Sequence, residues 1–331
     1  MPQGVNGAFT TAALRGLMTE SELKNFAPAQ DSGEPARVPG ARRITRRRVL
    51  ASAAGLAGLS ATTAAVYAAA IEPEGLVVTR YAPKPAAWPA GRKLSITVIA
   101  DLHAGGPDMA LPHIRHVVDT ANALRSDLIV LLGDYIATYR FVTEHVPDPV
   151  WAAEFARLSA PLGTWAILGN HDWWHDLHGV RSALADVRIP LLENDAVLLG
   201  AEGQRFWLAG LGDQLAHPLG RGRFRGVDDL PGTLAKIGSD DPVVLLAHEP
   251  DIFPRVPPRV ALTLSGHTHG GQIRVPLVWP MFVPSKYGAR YAYGHVVEDG
   301  RHLIVSGGLG TSIIPARLGV PPEIVHVTLG A

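Results

Sequence analysis

From residue 93 onward, short apolar runs with the composition of buried strands alternate with longer stretches of helical character. Strands that alternate with helices predict an α/β fold, in which ligands collect at the carboxyl ends of the strands. The predicted elements of this first half are strand 94–100, helix 110–125, strand 127–132, helix 148–159, strand 164–168 and helix 177–187. The second half has many short strands and few long helices. Its strands are predicted at 197–199, 206–209, 243–247, 260–264, 273–275, 295–297, 303–305 and 324–329.

Polar clusters follow five of the apolar runs, each at the point where the run ends. They are Asp101 with His103, Gly133 with Asp134, Gly169 with Asn170, His171 and Asp172, then His248, and finally Gly266 with His267, His269 and Gly270. Residues two apart in a strand point to the same face, so His267 and His269 can offer neighbouring imidazoles to one metal or to a close pair. Nitrogen and oxygen ligands without any cysteine are typical of borderline or hard divalent metals.

Each cluster also has an interpretation without chemistry. Asp134 after Gly133 can begin a turn, and Asn170 can form an Asx turn. Two histidines at this spacing can simply be hydrogen-bonded at a surface. The recurrence of the pattern at five predicted strand ends favours a metal site over these alternatives.

The composition is that of a folded protein with one large domain or two modest ones, because the chain has 331 residues, 47% hydrophobic and 18% charged. Residues 1–70 hold 8 Lys and Arg against 4 Asp and Glu, and the remainder holds 22 against 26, which leaves that remainder near −4. This charge gives no electrostatic basis for nucleic-acid binding. The chain has no cysteine, which excludes disulfides and thiol chemistry. It also lacks the glycine loops of nucleotide-driven enzymes and dehydrogenases.

The amino-terminal region 1–71 differs from the rest of the chain. Its first part, 1–48, forms a basic leader that ends in three arginines, and the segment 49–71 that follows carries no charge. Such an apolar segment is long enough to span a membrane, and a basic region before it is typical of an export signal. Thr45 to Leu50 resembles the twin-arginine consensus, in which two arginines precede one variable residue and then apolar ones. We therefore expect export by the twin-arginine machinery to the periplasm or another extracytoplasmic compartment, with 49–71 either removed or kept as a membrane anchor.

Residues 72–92 contain four prolines among glycine and alanine, which predicts an extended, Pro-rich linker. The folded domain is then expected to begin near Lys93. The chain thus divides into the leader 1–48, the apolar segment 49–71, the linker 72–92 and the domain 93–331.

Taken in order from Asp101 to His269, the clusters form the pattern D-x-H, G-D, G-N-H-D, a lone H and G-H-x-H. This pattern resembles the calcineurin-like metallophosphoesterases, with every motif position present. Gly266 to Gln272, Val283 to Ser285 and Ser306 to Thr311 are similar to the bacterial phosphodiesterase branch of that family, of the YaeI and YkuE type. The resemblance covers roughly Lys93 to the end. It implies a four-layer αββα sandwich of two mixed β-sheets flanked by helices, with metals at one rim.

The resemblance also implies two divalent metal ions. The implied ligands are Asp101, His103 and His269 for one ion, Asn170, His248 and His267 for the other, and Asp134 as the bridge. Two close cations lower the pKa of a shared water and clamp phosphate oxygens, so a metal-bridging hydroxide would attack the phosphorus. The ions would be Mn, Fe, Zn, Co or Ni, all of which imidazole and carboxylate ligands accept.

His171 and Asp172 are the candidate catalytic residues. His171 would stabilise the phosphoryl oxygens or protonate the leaving alkoxide, and Asp172 would orient it. Three further residues are candidates for substrate binding: Tyr135, Trp173 and Arg290. Arg290 can take a second phosphate bidentately, but it can equally lie in a solvated loop, and an aromatic residue such as Trp173 can simply be packing.

The sequence therefore predicts an exported, binuclear, metal-dependent phosphoesterase, in particular a phosphodiesterase acting on an envelope or lipid phosphodiester. One alternative is a hydrolase of the pyrophosphate in a precursor of the UDP-diacylglucosamine type, against which export argues because such precursors are made in the cytoplasm. Another is a non-catalytic envelope metal-binding protein. The complete motif set counts against that second alternative.

Overall fold

The structure is a computed structural model that describes residue 46 and residues 62–275 and 282–330. The account below concerns the unit Ala57–Ala331. The predicted twin-arginine motif, apart from Arg46, and most of the apolar segment 49–71 lie outside the described residues, while residues 62–70 are helical. No helix within the described ranges combines the length and hydropathy needed to cross a bilayer.

Fifteen strands and five α-helices build the part of the chain described after residue 71. The strands are β1 (Val77–Tyr81), β2 (Leu94–Ile99), β3 (Gly105–Gly106), β4 (Leu128–Leu131), β5 (Glu144–His145), β6 (Thr164–Ala166), β7 (Asp195–Leu199), β8 (Phe206–Gly210), β9 (His217–Gly220), β10 (Arg223–Arg225), β11 (Val243–Leu246), β12 (Val260–Ser265), β13 (Gly294–Glu298), β14 (Arg301–Val305) and β15 (Glu323–Leu329). The helices are α1 (Leu111–Ala123), α2 (Asp148–Phe155), α3 (Asn170–Trp174), α4 (Leu177–Asp186) and α5 (Leu230–Ala235), and a 3-10 helix covers Pro250–Arg255.

Two mixed sheets form the centre of the fold. The first has the strand order β1-β15-β2-β4-β6, and the second has the order β13-β14-β12-β11-β8-β7. In the first sheet β2, β4 and β6 run parallel, and β15 runs antiparallel to β2. In the second sheet β8, β11, β12 and β14 run parallel, and the edge strands β7 and β13 are antiparallel to their neighbours.

Side-chain alternation along the strands produces the layers. In β4, Leu128 and Val130 pack between the sheets, whereas Ile129 and Leu131 pack against helices. Buried apolar side chains fill three layers: between α1, α2, α4 and the first sheet, between the two sheets, and between the second sheet and α5 with the 3-10 helix. The predicted α/β class, two mixed sheets flanked by helices, is confirmed.

Two predictions about the chain's organisation are wrong. The region 72–92, predicted as a linker, contains β1, which pairs in parallel with β15 and forms an edge of the first sheet. The prolines of this region lie before and after β1 rather than within it, so the folded domain begins before residue 93. Residues 273–275, predicted as a strand, contribute a single isolated bridge between Ile273 and Leu318.

The strand directions bring the polar clusters to one rim of each sheet. The strands and the cluster residues that follow them are β2 with Asp101, β4 with Asp134, β6 with Asn170, β11 with His248 and β12 with His267. Because β2, β4 and β6 are parallel, and β11 and β12 are parallel, their carboxyl ends share an edge in each sheet. Packing of the two sheets then places both edges beside each other.

The layer between the sheets should dominate the stability of the domain. Leu246 is fully buried there, two residues before His248. We expect Leu246→Ala to lower the free energy of unfolding by about 2–5 kcal/mol, because it leaves a cavity in a layer with a sheet on either side. Val297→Ala is the control, since that side chain is 52% exposed, and it should change the same quantity by less than about 0.5 kcal/mol. Chemical denaturation of both variants measures the difference, and equal effects would contradict the assigned core.

Candidate metal centre

The structure gathers six of the seven predicted ligands, all but Asn170, into three overlapping groups that also include His171. Within each group one ligand atom per residue lies within 4.8 Å of the others, and the groups are Asp101 with His103 and His269, His103 with Asp134 and His171, and Asp134 with His248 and His267. All of these side chains are buried except that of His171, which is half-buried. Asp134 and His103 each belong to two groups, so the ligand set is continuous rather than divided into separate sites.

Backbone carbonyls fix the orientation of three imidazoles. The pairs are His103 Nδ1 with Ile136 O at 3.1 Å, His248 Nδ1 with Leu132 O at 2.7 Å, and His267 Nε2 with Pro284 O at 2.9 Å. A carbonyl can only accept, so each of these ring nitrogens donates and carries the proton. When such a ring is neutral, its other nitrogen keeps the lone pair that a metal ligand requires.

Three buried polar atoms of the cluster make no hydrogen bond. They are Asp101 Oδ2, Asn170 Oδ1 and His248 Nε2, although Asp134 Oδ2 lies 3.2 Å from the last of these. A buried polar atom without a partner is costly, and three such atoms at one rim indicate a missing counterpart. The oxygen and nitrogen donors and the buried carboxylates fit a divalent cation.

Burial and mutual charge control protonation at the cluster. Burial raises the pKa of Asp101 to about 7, and burial lowers the pKa of His103 to about 3. Burial alone would raise the pKa of Asp134, but His248 and His171 hold it well below its usual range. Burial alone would lower the pKa of His248, but Asp134 raises it well above the ordinary value. Two buried carboxylates that repel each other across this site favour the binding of a cation.

The backbone at the cluster adopts a conformation that most residues avoid. Five cluster residues have φ in the left-handed region, namely Asp101 (51°), His103 (44°), Asp134 (57°), His267 (69°) and His269 (50°). Such positions cost about 1–3 kcal/mol each and concentrate at functional sites. Close approach also requires glycine, because a Cβ at Gly266 would lie 2.5 Å from Asp101 Oδ2 and one at Gly308 would lie 2.7 Å from Asp101 Cβ.

His171 lies at the partly open side of the cluster. Its backbone N–H donates to Asp134 Oδ1 at 2.9 Å, and its ring centroid lies 4.8 Å from that of His103. The Nδ1 atom of His171 contacts the hydroxyl of Thr138, which leaves Nε2 for a substrate. Thr138 was not singled out in the sequence, where nothing distinguishes it from other residues of that loop.

The predicted role of Asp172 needs correction. Asp172 does not orient the His171 ring, which contacts Thr138 instead. It is fully buried, and its carboxylate accepts three backbone N–H bonds, from Asp134 at 2.8 Å, Gly169 at 2.9 Å and Tyr135 at 2.8 Å. Asp172 is therefore a positioning residue that holds together the loops after β4 and β6.

One predicted substrate contact, Tyr135, is wrong, and a second, Arg290, has a partner within the protein. Tyr135 is buried, donates its hydroxyl to Ile167 O at 2.9 Å and stacks on Trp151 with the ring centroids 5.0 Å apart. Arg290 donates to both carboxylate oxygens of Glu298, at 2.7 and 2.9 Å. The first residue is part of the core, and the guanidinium of the second is already paired.

Trp174, rather than the predicted Trp173, faces the open space beside the cluster. Trp173 is half-buried, and its ring packs edge-on against His217. Trp174 stacks on Phe224 with the ring centroids 5.4 Å apart, and both line a cleft of about 500 Å³ together with His267. Phe224 belongs to the hairpin of β9 and β10, which was not predicted, although the glycines around Arg221 are a turn signal.

Arg317 also went unnoticed in the sequence. It is fully buried, with Nη2 3.4 Å from His269 Nδ1 and donating to Gly310 O at 2.5 Å, while Nη1 donates to Gly307 O at 3.0 Å. The residue lies between alanine and leucine in a loop, with no pattern that predicts burial. It places a positive charge behind the cluster.

The fold and the buried cluster of aspartates and histidines define a metal-dependent phosphoesterase. The chain belongs to the calcineurin-like phosphoesterase family, whose model matches residues 94–271. This membership confirms the family predicted from the five motifs, and with it the enzyme class, a phosphoric ester hydrolase.

Known relatives of the chain include bacterial proteins of the predicted branch. An uncharacterised metallophosphoesterase, YkuE of Bacillus subtilis, is 31% identical over 300 residues, which is 87% of this chain and 98% of the relative. The phosphodiesterase YaeI of Escherichia coli is 31% identical over 243 residues, covering 71% of this chain and 81% of the relative. The solved structure of the Haemophilus influenzae NAD nucleotidase matches with a TM-score of 0.45 at 16% identity, over 66% of this chain and about half, 51%, of that protein.

The three hydrogen bonds that Asp172 accepts should control metal affinity without direct contact. Asp172→Asn has one acceptor oxygen instead of two, and we expect it to weaken metal binding about 10–100-fold. Asp176→Asn is the control, because Asp176 also accepts a backbone N–H, from Gly179 at 2.8 Å, but starts α4 on the exterior. Calorimetric titration of the metal-free proteins with Mn²⁺ measures the affinities, and unchanged binding in Asp172→Asn would contradict the positioning role.

Proposed function

We propose that this protein is an exported phosphodiesterase that works with two divalent metal ions. The observation that carries the proposal is the continuous cluster, in which the group of His103, Asp134 and His171 links the two groups that hold the other candidate ligands. A single ion would leave part of this set, with its buried unpartnered oxygens, without a counterpart. Two ions that share Asp134 would satisfy all of it.

The proposed ligand assignment combines two of the groups with Asn170, whose buried Oδ1 makes no hydrogen bond. Asp101, His103 and His269 would hold one ion, Asn170, His248 and His267 would hold the other, and Asp134 would contact both. When bound, two such ions act as Lewis acids on a phosphate ester and lower the pKa of water. Their identity is proposed to be among Mn, Fe, Zn, Co and Ni, because the donors are imidazole, carboxylate and one amide oxygen.

His171 is proposed to act on the leaving group. If the hydroxyl of Thr138 donates to Nδ1, the neutral ring carries its proton on Nε2, which is the atom left for a substrate. Burial lowers the pKa of His171, so the neutral ring dominates at neutral pH. The Nε2–H group then donates a hydrogen bond to the oxygen on which negative charge develops as the ester bond breaks.

Space beside the cluster favours a diester over a monoester. A phosphodiester carries two organic groups, and both need room next to the metal centre. Two clefts border the cluster, one of about 540 Å³ at His269 and one of about 500 Å³ at His267. The similarity to YaeI, a phosphodiesterase by name, supports the same choice.

Metal content and turnover of His171→Ala test the catalytic proposal together. The wild-type chain should bind about two metal ions and hydrolyse bis-p-nitrophenyl phosphate faster than p-nitrophenyl phosphate. His171→Ala should keep both ions, because His171 is not among the assigned ligands, and should lose about 10²–10³ in kcat, because a hydrogen-bond donor to the leaving oxygen is removed. His178→Ala is the matched control, since His178 is exposed on α4 and belongs to none of the ligand groups.

The outcomes separate the competing functions. Two bound ions with no turnover of either ester, in wild type and variant alike, would favour a non-catalytic metal-binding protein. One ion per chain with normal turnover would contradict the binuclear arrangement, while the proposal of esterase activity would stand. Faster hydrolysis of the monoester would contradict the diester preference alone.

Export is proposed from the sequence, because the motif lies almost wholly outside the described residues. Arg46→Lys with Arg47→Lys should abolish appearance of the protein outside the cytoplasm, since the twin-arginine route reads that pair. Arg42→Lys with Arg43→Lys is the matched control and should leave export unchanged. Immunodetection in cytoplasmic, membrane and extracytoplasmic fractions measures both. A wild-type protein found only on the cytoplasmic side would contradict export and favour hydrolysis of a UDP-diacylglucosamine-type pyrophosphate.

A further inference from the structure

An apolar pocket borders the candidate metal centre at His269. Its volume is about 540 Å³, within the range of roughly 300–1,000 Å³ that small-molecule sites occupy. Much of the wall consists of Ile273, Phe282, Ile313 and Ile314. A ligand held by the metal centre can therefore extend directly into apolar surroundings.

Two polar side chains in the wall of this pocket, those of Thr268 and Gln272, are already paired within the protein. The hydroxyl of Thr268 donates to a backbone carbonyl at 2.7 Å. The amide nitrogen of Gln272 donates to the backbone oxygens of Ile314 at 2.7 Å and Ala316 at 2.9 Å. The amide oxygen of Gln272 accepts from the backbone N–H of Ser312 at 3.2 Å. These groups hold the wall in shape and offer little to a polar ligand, which favours a hydrocarbon occupant.

Large apolar side chains at the mouth of the pocket are in contact with water. Phe282 is 59% exposed and Ile313 is 56% exposed, and Ile314 beside them is 40% exposed. A group of large exposed apolar residues often marks a binding site. This group adjoins His269, a buried candidate metal ligand. A bound chain would remove this surface from water.

The adjoining cleft at His267 has different chemistry. It shares Phe282 and Pro284 with the apolar pocket. Its other lining residues include the charged side chains of Asp228, Glu249, Asp251, Arg255 and Lys286. The cleft at His267 therefore offers charged groups beside the aromatic rings of Trp174 and Phe224, whereas the pocket at His269 is lined mainly by apolar side chains.

We propose that the substrate is an amphiphilic phosphate ester whose hydrocarbon chain occupies the pocket at His269. The polar group of the ester lies in the cleft at His267, and the phosphate lies at the metal centre between them. The inference rests on the proposed function, because it assigns the substrate class of that same centre. The occupant of the pocket is a lipid-like chain of the substrate.

A series of alkylphosphonates of increasing chain length tests the pocket without requiring turnover. Methyl-, butyl- and octylphosphonate are titrated calorimetrically into the metal-loaded full-length chain, without detergent, since detergent tails would compete for the same pocket. A fully buried methylene tightens binding about fourfold. Because the pocket is open to water on one side, we expect octylphosphonate to bind at least about tenfold more tightly than methylphosphonate.

Three variants test whether the dependence of affinity on alkyl chain length arises in the pocket at His269. Ile313→Gln places a polar group at the mouth of the pocket without adding charge, and the methyl-to-octyl ratio of Kd should shrink at least about threefold. Ile313→Leu keeps the apolar wall and should restore the wild-type ratio. Val297→Gln is the remote control at a side chain of similar exposure, 52%, and should leave the ratio unchanged.

The outcomes distinguish this inference from the proposed function. Equal Kd values for the three alkylphosphonates overturn the pocket assignment. A strong dependence of Kd on chain length that Ile313→Gln does not change overturns it as well. In a third outcome, the protein sediments with phosphatidylglycerol vesicles, loses this binding in Ile313→Gln and shows equal Kd values for the three alkylphosphonates. That result would identify a membrane-contact patch and also overturn the pocket assignment. Hydrolysis of bis-p-nitrophenyl phosphate by the same preparation reports on the phosphodiesterase separately, since it needs no alkyl chain.

Discussion

The contact between Asp134 and His248 is the interaction on which the arrangement of the site depends. Asp134 follows β4 of the first sheet and His248 follows β11 of the second, and their side chains approach to 3.2 Å. His248 lowers the pKa of Asp134 and Asp134 raises the pKa of His248, in each case against the effect of burial. The contact joins the ends of two strands that belong to different sheets.

Much of the surrounding structure compensates for the charge and strain collected at that contact. Asp172 pins the loops after β4 and β6 by accepting three backbone N–H groups. Backbone carbonyls hold the imidazoles of His103, His248 and His267 with one nitrogen turned toward the cluster. Arg317, buried behind His269, adds a positive charge near the carboxylate of Asp101. These contacts all come from the protein itself, and supporting contacts of this kind orient the ligands of metal sites.

The sequence predicted the parts of the site that local pattern encodes. Ligand types recur directly after apolar runs, and parallel strands deliver such residues to one edge, so the cluster could be assembled without coordinates. Tyr135 was misassigned because its burial and its partner, Ile167 O, are set by tertiary packing that spacing does not reveal, and the pairing of Arg290 with Glu298 was missed for the same reason. Strand β1 was missed for a related reason: it is an edge strand without a fully buried side chain, so its apolar pattern is weak, and flanking prolines suggest a linker.

The position of β15 has a consequence for when the protein can fold. This strand is the last of the described chain, yet it lies inside the first sheet, between β1 and β2, and pairs Glu323 with Val77 from the first strand of the domain. Until it has been synthesised, β2 has an open edge and β1 has no neighbour in the sheet. The domain therefore cannot assemble progressively from its amino terminus as the ribosome advances. Its metal centre, which begins at the end of β2, is completed only after almost the whole chain has been made.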